Sequence, residues 1–233
     1  MKIKDFKGVF QTMNVKFISA KNIGKDYYEI KLEKPKGLTW RPGEHAIFSI
    51  PSQKISGKKW RGFSIASTSK ENVILLGTRT GNTMSEFKRV LLNLSPGDLV
   101  KMRGPFGWFT EQDQKTPVVM IALGVGITPI RALLAEFEHQ KDRKVDVIYS
   151  SQDIYMFKDI IDEIIQHNES MDITYTSSIN ETKDAINRLS KQYSNNAYYY
   201  ISGSLKGIKS VKNQLKENGI KSKRMINDFF LGY

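Results

Sequence analysis

The sequence predicts two domains: an antiparallel β-barrel, then an α/β domain built on a parallel sheet. Three observations carry this. Up to Gly107 the chain reads as short stretches of alternating apolar and polar residues, broken by Gly, Pro and Asn, which is the pattern of antiparallel strands and turns. Beyond Pro117, apolar runs of strand length alternate with stretches of helical spacing, which is the pattern of βα units. Between them Glu111-Gln-Asp-Gln-Lys-Thr116 is a polar break, and it divides the chain into domains 1–112 and 113–233. A chain of 233 residues has room for two domains of ordinary size.

The elements follow in order. Asn14 to Ser19 and Tyr27 to Leu32 alternate and are separated by Asn22-Ile23-Gly24, so they read as paired antiparallel strands. The turn Pro42-Gly43 leads into Ala46 to Ile50. Arg61 to Ser67 is the next strand, followed by Val73 to Thr78. Thr83 to Leu94 places Met84, Phe87, Val90, Leu91 and Leu94 near helical spacing, after Gly81-Asn82-Thr83 and before Pro96-Gly97-Asp98. Leu99 to Arg103 closes the series at Gly104-Pro-Phe-Gly107. Short strands at this spacing fit a closed barrel or a sandwich. In the second domain the strands are Val118 to Ala122, Val145 to Tyr149, Ile173 to Thr176, Tyr198 to Ile201 and a short one near Arg224 to Asn227. Helical stretches lie at Pro129 to His139, Ile160 to Gln166, Ala185 to Leu189 and Lys206 to Asn218, the last stopped by Gly219. Such sheets bind ligands at the carboxyl ends of their strands.

Composition narrows the chemistry. There is no cysteine, which excludes disulfides, thiolate catalysis and cysteine-held zinc or iron–sulfur clusters. The three histidines, His45, His139 and His167, have no metal-ligand spacing, so no metal is expected. Apolar runs such as Val118 to Leu123 are too short to span a bilayer, and the start has no apolar segment of signal-peptide type, so no membrane insertion and a cytoplasmic location are expected. The net charge of +12 favours acidic or phosphate-bearing partners. The basic residues are spread along the chain, with short dense patches at Lys54 to Arg61 and Lys221 to Arg224, and no nucleic-acid-binding motif accompanies them.

Two stretches carry chemistry. In Arg61-Gly62-Phe63-Ser64-Ile65-Ala66-Ser67, alternation puts Arg61 and Phe63 on one face and Gly62 and Ser64 on the other. An arginine fork clamps phosphate, an aromatic covers a flat ring and a hydroxyl reaches a ring nitrogen, which together suit a flavin nucleotide. The Gly81 turn and Ser85, opening a helix, suit phosphate. In the second domain Leu123-Gly124-Val125-Gly126-Ile127-Thr128-Pro129 ends a strand and opens a helix. Its glycines allow close backbone approach, Thr128 is placed to cap and Pro129 suits the first helical turn. Small residues recur at Ser202-Gly203-Ser204.

An ordered set of five motifs resembles the ferredoxin–NADP reductase superfamily: Arg61-Gly-Phe-Ser64, Gly81-Asn-Thr-Met-Ser85, Gly104-Pro-Phe-Gly107, Gly124-Val-Gly-Ile-Thr-Pro129 and the tail Asp228-Phe-Phe-Leu-Gly-Tyr233. The likeness runs from about Asn14 to the end. It implies a Greek-key flavin-binding barrel, a nucleotide-binding α/β domain, and FAD rather than FMN as cofactor. By the same resemblance, Arg61 grips the flavin pyrophosphate, Gly62 lies in the same strand, Phe63 lies along the isoalloxazine and Ser64 bonds near its hydride-accepting nitrogen. Ile65 and Ala66 present backbone to the pyrimidine edge, and Gly81, Thr83, Met84 and Ser85 hold phosphate. Gly124, Gly126, Thr128, Pro129, Ser150, Ser151 and Gly203 receive NADH or NADPH. Ser64, Ser202, Asp228 and Phe230 are the implied catalytic residues, Phe230 stacking on the flavin.

The sequence departs from the family pattern in places. Phe63 stands where tyrosine is commoner, and Ser202-Gly203-Ser204 where Cys-Gly-Pro is. Tyr149-Ser150-Ser151-Gln152 offers no arginine for a 2′-phosphate, which tilts the reading to NADH. The implied activity is hydride transfer from NAD(P)H to FAD, with electrons passed to a separate acidic carrier such as ferredoxin or flavodoxin, since the chain cannot ligate a cluster of its own. A free-flavin reductase and a non-catalytic electron-transfer or regulatory subunit are the alternatives.

Overall fold

The structure, a computed structural model, describes residues 3–228. The chain divides into two compact units, the first running to Thr110 and the second beginning at Glu111.

The first unit is a six-stranded antiparallel sheet. Its strands are β1 (Thr12–Gly24), β2 (Tyr27–Glu33), β3 (His45–Ser49), β4 (Trp60–Ser64), β5 (Val73–Arg79) and β6 (Leu99–Phe106), in the spatial order β4-β3-β6-β1-β2-β5. β6 enters between β3 and β1, the long return that makes the topology a Greek key. The two end strands meet just beyond β4: Ile65 bridges Leu76, and the Ala66 N–H donates to the Leu75 carbonyl at 2.7 Å. The sheet therefore closes into a barrel. Alternation decides the inside: Val15 and Phe17, Ile30 and Leu32, Ala46 and Phe48, Ile74 and Leu76, and Val100 and Met102 are buried together at every second position of their strands. Helix α1 (Glu86–Leu92) adds Phe87 and Leu91 to this core. It is shorter than the Thr83 to Leu94 stretch the periodicity predicts. Ser85 has extended backbone and its hydroxyl accepts the Lys88 N–H at 3.4 Å, so the helix starts only after it.

The second unit alternates strand and helix: β7 (Val118–Leu123), α2 (Ile127–Phe137), β8 (Val145–Ser150), α3 (Lys158–Gln166), β9 (Met171–Thr176), α4 (Ile179–Tyr193), β10 (Tyr198–Ser202), α5 (Leu205–Glu217) and β11 (Met225–Asn227). All pairs are parallel, in the order β11-β10-β7-β8-β9. β7 is central and apolar throughout because both its faces are covered. The chain leaves β7 toward β8 and later returns on its other side as β10, so the direction of winding switches between β7 and β10. Crevices for ligands form at that switch.

One buried cation ties the start of this unit down. Arg143, 1 % exposed, donates to the Thr116 carbonyl at 2.9 Å and to Glu111 at 2.8 Å, with its guanidinium carbon 4.5 Å from the Phe137 ring centre. Among the described residues no helix is long and apolar enough to cross a membrane, and no group of three or more His, Asp or Glu is placed to hold a metal.

Candidate functional site

The barrel unit carries a cavity of about 540 Å³ where the ends of β4 and β5 meet the turn before α1. Arg61, Arg79, Thr80, Gly81, Ser85 and Lys88 are among its lining residues, and the described lining residues hold three cations and no carboxylate. Arg61 is 9 % exposed; one of its terminal nitrogens donates to the Lys58 and Trp60 carbonyls at 2.9 Å each, and the guanidinium lies 5.7 Å over the Phe87 ring. Removal from water lowers the arginine's pKa. Arg79 is held by Asp26 from the β1–β2 turn at 2.8 Å, and the same carboxylate accepts the Gly81 N–H at 2.8 Å. Burial alone would raise the Asp26 carboxyl, but the bonds from Arg79 and Gly81 outweigh it and hold the group below its usual value. Gly81 has φ +68°, a conformation that suits glycine, and this turns its N–H toward Asp26.

Lys88 is the residue that sequence reading missed here. It is one charged residue on a polar-looking helix, and only its neighbour Phe87 in the apolar stripe indicates burial. It is 8 % exposed and its ammonium donates to the Arg79 carbonyl at 2.7 Å. Burial first, and the charge of Arg61 second, push its pKa down to about 8, with Asp26 opposing.

The other barrel residues fall as follows. Phe63 is 4 % exposed and packs at 5.9 Å from Phe48 and 6.4 Å from Phe87, edging the same aromatic group that carries Arg61. Gly62 and Ser64 are buried in β4, Ser64 opposite His45. The N–H groups of Ile65 and Ala66 are spent on the Glu44 and Leu75 carbonyls in closing the barrel, so neither is a donor toward a ring edge. Thr83 and Met84 are exposed on the turn.

In the second unit the Gly124–Gly126 loop is a short 3-10 turn running into α2. Its two glycines answer different needs. Gly124 has φ +57° with open space beside it, whereas a Cβ at Gly126 would lie 2.2 Å from the Ser202 carbonyl oxygen and 2.7 Å from the Gly203 nitrogen. Gly126 is thus where the loop packs on the end of β10. The Thr128 hydroxyl is buried and donates to the Val125 carbonyl at 2.7 Å, which fixes the turn rather than presenting the group outward, and Pro129 is buried beside it. Ser202 is 0 % exposed and its hydroxyl has no hydrogen-bond partner among the described residues. Gly203 abuts the Leu123 side chain, leaving no room for a Cβ. Asp228 is buried just beyond β11, its N–H donating to the Ile201 carbonyl at 3.0 Å. Phe230 lies outside the described residues.

A cavity of about 320 Å³ opens at the carboxyl ends of β7 and β8, with Leu123, Ser150, Thr182, Ile186, Lys183 and Lys206 among its lining. The Ser150 hydroxyl accepts from Thr182 at 2.9 Å, while Ser151 is turned away, donating to the Ile154 carbonyl at 2.8 Å. Lys183 from α4 and Lys206 from α5 bring cations to the cavity that the stretch after β8 lacks. The sequence reading finds no arginine after β8 and leaves open a role for lysines distant in the chain.

The chain thus holds an antiparallel Greek-key barrel with a cation-lined cavity and a parallel sheet whose winding switches between β7 and β10. Residues 12–147 match the pattern of a family described as FAD-binding domain. The chain belongs to that family, and FAD is the cofactor it takes. It is similar to a flavohemoprotein of Pseudomonas aeruginosa, 24% identical over 83% of this chain and 51% of the relative. It is also similar to the toluate 1,2-dioxygenase electron transfer component of Pseudomonas putida, 28% identical over 54% of this chain and 36% of the relative. The chain therefore spans about half or less of the length of these relatives. Among solved structures, the ferredoxin-NADP+ reductase of Plasmodium falciparum superposes with a TM-score of 0.77 at 15% identity, covering 98% of this chain and 100% of that one.

The residues present fit the cofactor. A cavity with three cations and, among its described lining residues, no carboxylate is suited to a diphosphate, whose two negative groups would relieve charge that the fold concentrates there.

Proposed function

We propose that this chain is an FAD-dependent oxidoreductase that takes hydride from NADH or NADPH and passes electrons to a separate acceptor. The observation that carries the reading is the cationic cavity around Arg61, which suits the FAD diphosphate. Bound FAD supplies the redox chemistry, accepting hydride and giving up electrons singly or as a pair. The chain's own part is binding and orientation. Arg61 holds phosphate, and its carbonyl partners at Lys58 and Trp60 fix the fork before the ligand arrives. In the second unit the crevice beside the Gly124–Gly126 loop receives the nucleotide. The buried Ser202 hydroxyl, lacking a partner among the described residues, gains a bond when a polar group of the ligand reaches it. Ser64 and Asp228 are the remaining residues we assign to the reacting ring edges, with Phe230 as the stacking aromatic.

The acceptor is an acidic electron carrier of ferredoxin or flavodoxin type. The net charge of +12 speeds association with such a partner. Reductase components of oxygenases among the relatives, such as that of propane 2-monooxygenase, support a separate acceptor. The location we assign is the cytoplasm.

The test is anaerobic addition of NADH, and separately NADPH, to the FAD-loaded protein while the visible flavin band is followed. Rapid bleaching with either nucleotide is the expected result, and the faster one gives the preference. A flavin that stays bound and never bleaches would make the chain a non-catalytic subunit. FAD lost on gel filtration would make flavin a substrate. Substituting Arg61→Ala is expected to weaken FAD binding by roughly 10- to 100-fold, the worth of a charged hydrogen bond; undiminished retention would remove Arg61 from the site.

A further inference from the structure

We propose that Lys88 is a second cation for the cofactor diphosphate beside Arg61, and that through it this chain's grip on the diphosphate weakens as the pH rises. The inference rests on the reading of the cavity as the FAD diphosphate seat.

A lysine at this position is hard to explain by folding alone. It sits beside Phe87, which fills the barrel core, and it is nine-tenths buried. A leucine or methionine there would bury as much carbon without desolvating an ammonium. Arg61, whose charge acts on Lys88, is buried in the same cavity wall, so the fold holds two positive groups close together out of water. Two anionic phosphates relieve both charges at once, which a solvent-facing or purely structural lysine does not need.

The groups facing Lys88 can be taken element by element. From β4 comes Arg61. From the end of β5 comes the Arg79 carbonyl, a neutral acceptor, while the Arg79 guanidinium is held by Asp26. From the β1–β2 turn comes Asp26, whose charge acts on Lys88 and which is already bonded by both Arg79 and Gly81. On its own helix, Glu86 is drawn to Ser56 and Arg89. The free pocket therefore leaves Lys88 with a pKa near 8. A bound diphosphate raises it. The direction follows: below about 8 the ammonium is charged with or without ligand and affinity does not change with pH. Above about 8 binding must take up a proton, and affinity falls as pH rises, by up to about tenfold per pH unit.

The experiment titrates the wild-type chain, Lys88→Met and Lys88→Arg with FAD and with inorganic pyrophosphate, by calorimetry, from about pH 6.5 to 9.5. Circular dichroism confirms that each variant folds. Wild type is expected to hold FAD evenly up to about pH 8 and progressively less above it. Lys88→Met should bind about 10- to 100-fold more weakly at neutral pH, with the alkaline fall gone. Lys88→Arg should keep most of the neutral affinity and also lose the fall, because arginine does not titrate there. If Lys88→Met does not fold, the flat profile of Lys88→Arg carries the test. FAD bound by all three with the same pH slope would overturn the inference and leave the FAD reading standing. Pyrophosphate bound in the Lys88-dependent, pH-dependent way but FAD not bound would do the reverse. Neither ligand bound by wild type would overturn both.

Discussion

Substituting Gly126→Ala is expected to damage the nucleotide unit severely, and Gly124→Ala only mildly, although the two glycines are two residues apart in one loop. At Gly126 the added carbon would stand 2.2 Å from the Ser202 carbonyl oxygen, where ordinary contact begins at 3.4 Å. Relief needs more than 1 Å of movement, and both atoms to be moved are backbone. Ser202 is held in register with Ala122 in a parallel ladder whose other edge bears β11, so the strand end cannot retreat without breaking pairs. A strain of this kind costs about 3 kcal/mol or more. At Gly124 there is open space, and the penalty is only that of a left-handed backbone, about 1 kcal/mol. Denaturant unfolding of both variants measures the difference directly, and NADH titration reports whether the Ser202 end of β10 still receives the nucleotide. If Gly126→Ala unfolds within about 0.5 kcal/mol of Gly124→Ala, the loop does not pack on β10 as described, and the role of Gly126 reverts to ligand approach.

Three further outcomes can be checked. His45 is buried against Phe106, and desolvation holds its pKa at about 4 rather than the usual 6.5. Its neutral form is thus favoured in the fold, and this stability is fully present above about pH 6.5 and lost as pH falls toward 4. The loss is about 3 kcal/mol, so wild type should show a fall in unfolding free energy over that window that His45→Gln lacks. Substituting Arg143→Met removes bonds to Thr116 and Glu111 but leaves Glu111 able to reach water. The expected loss is about 2–3 kcal/mol by denaturant midpoint, with flavin binding by the barrel unchanged. Substituting Ser202→Ala discards a buried hydroxyl that has no partner among the described residues, so the ligand-free protein should gain about 1 kcal/mol, while NAD(P)H binds more weakly; a fall in both would show that the hydroxyl is bonded within the fold.

The barrel strands and the βα units were legible because their signal lies along the chain. Val15 and Phe17, or Ile30 and Leu32, announce an inside face by alternation, and the unbroken apolar run of β7 announces a strand covered on both sides. Helix α1 was legible as a helix but read too long, since Met84 fits the apolar stripe while Ser85 ends it as a cap. Arg61 was legible because an arginine beside an aromatic in a strand is an unusual inward pair. Thr128 was read as the cap of the following helix, but it lies inside α2, whose N-cap is Gly126, and its hydroxyl turns back to the Val125 carbonyl, a choice that spacing does not encode.

The cations show why the rest was hidden. Lys88, Lys183 and Lys206 are three of many lysines in a chain of net charge +12, and each lies on a helix whose exposed face is rich in charge. What sets them apart is the neighbour each meets across the fold. Lys88 meets Arg79 and Arg61 because β4 and β5, the two ends of the sheet, come together where the barrel closes. Lys183 and Lys206 share a cavity because α4 and α5 flank the end of β7. In each case the chemistry depends on closure between segments far apart in the chain. A short motif such as Arg61-Gly-Phe-Ser64 can signal one wall of such a site. The opposite wall becomes visible only once the topology has decided which strand ends meet.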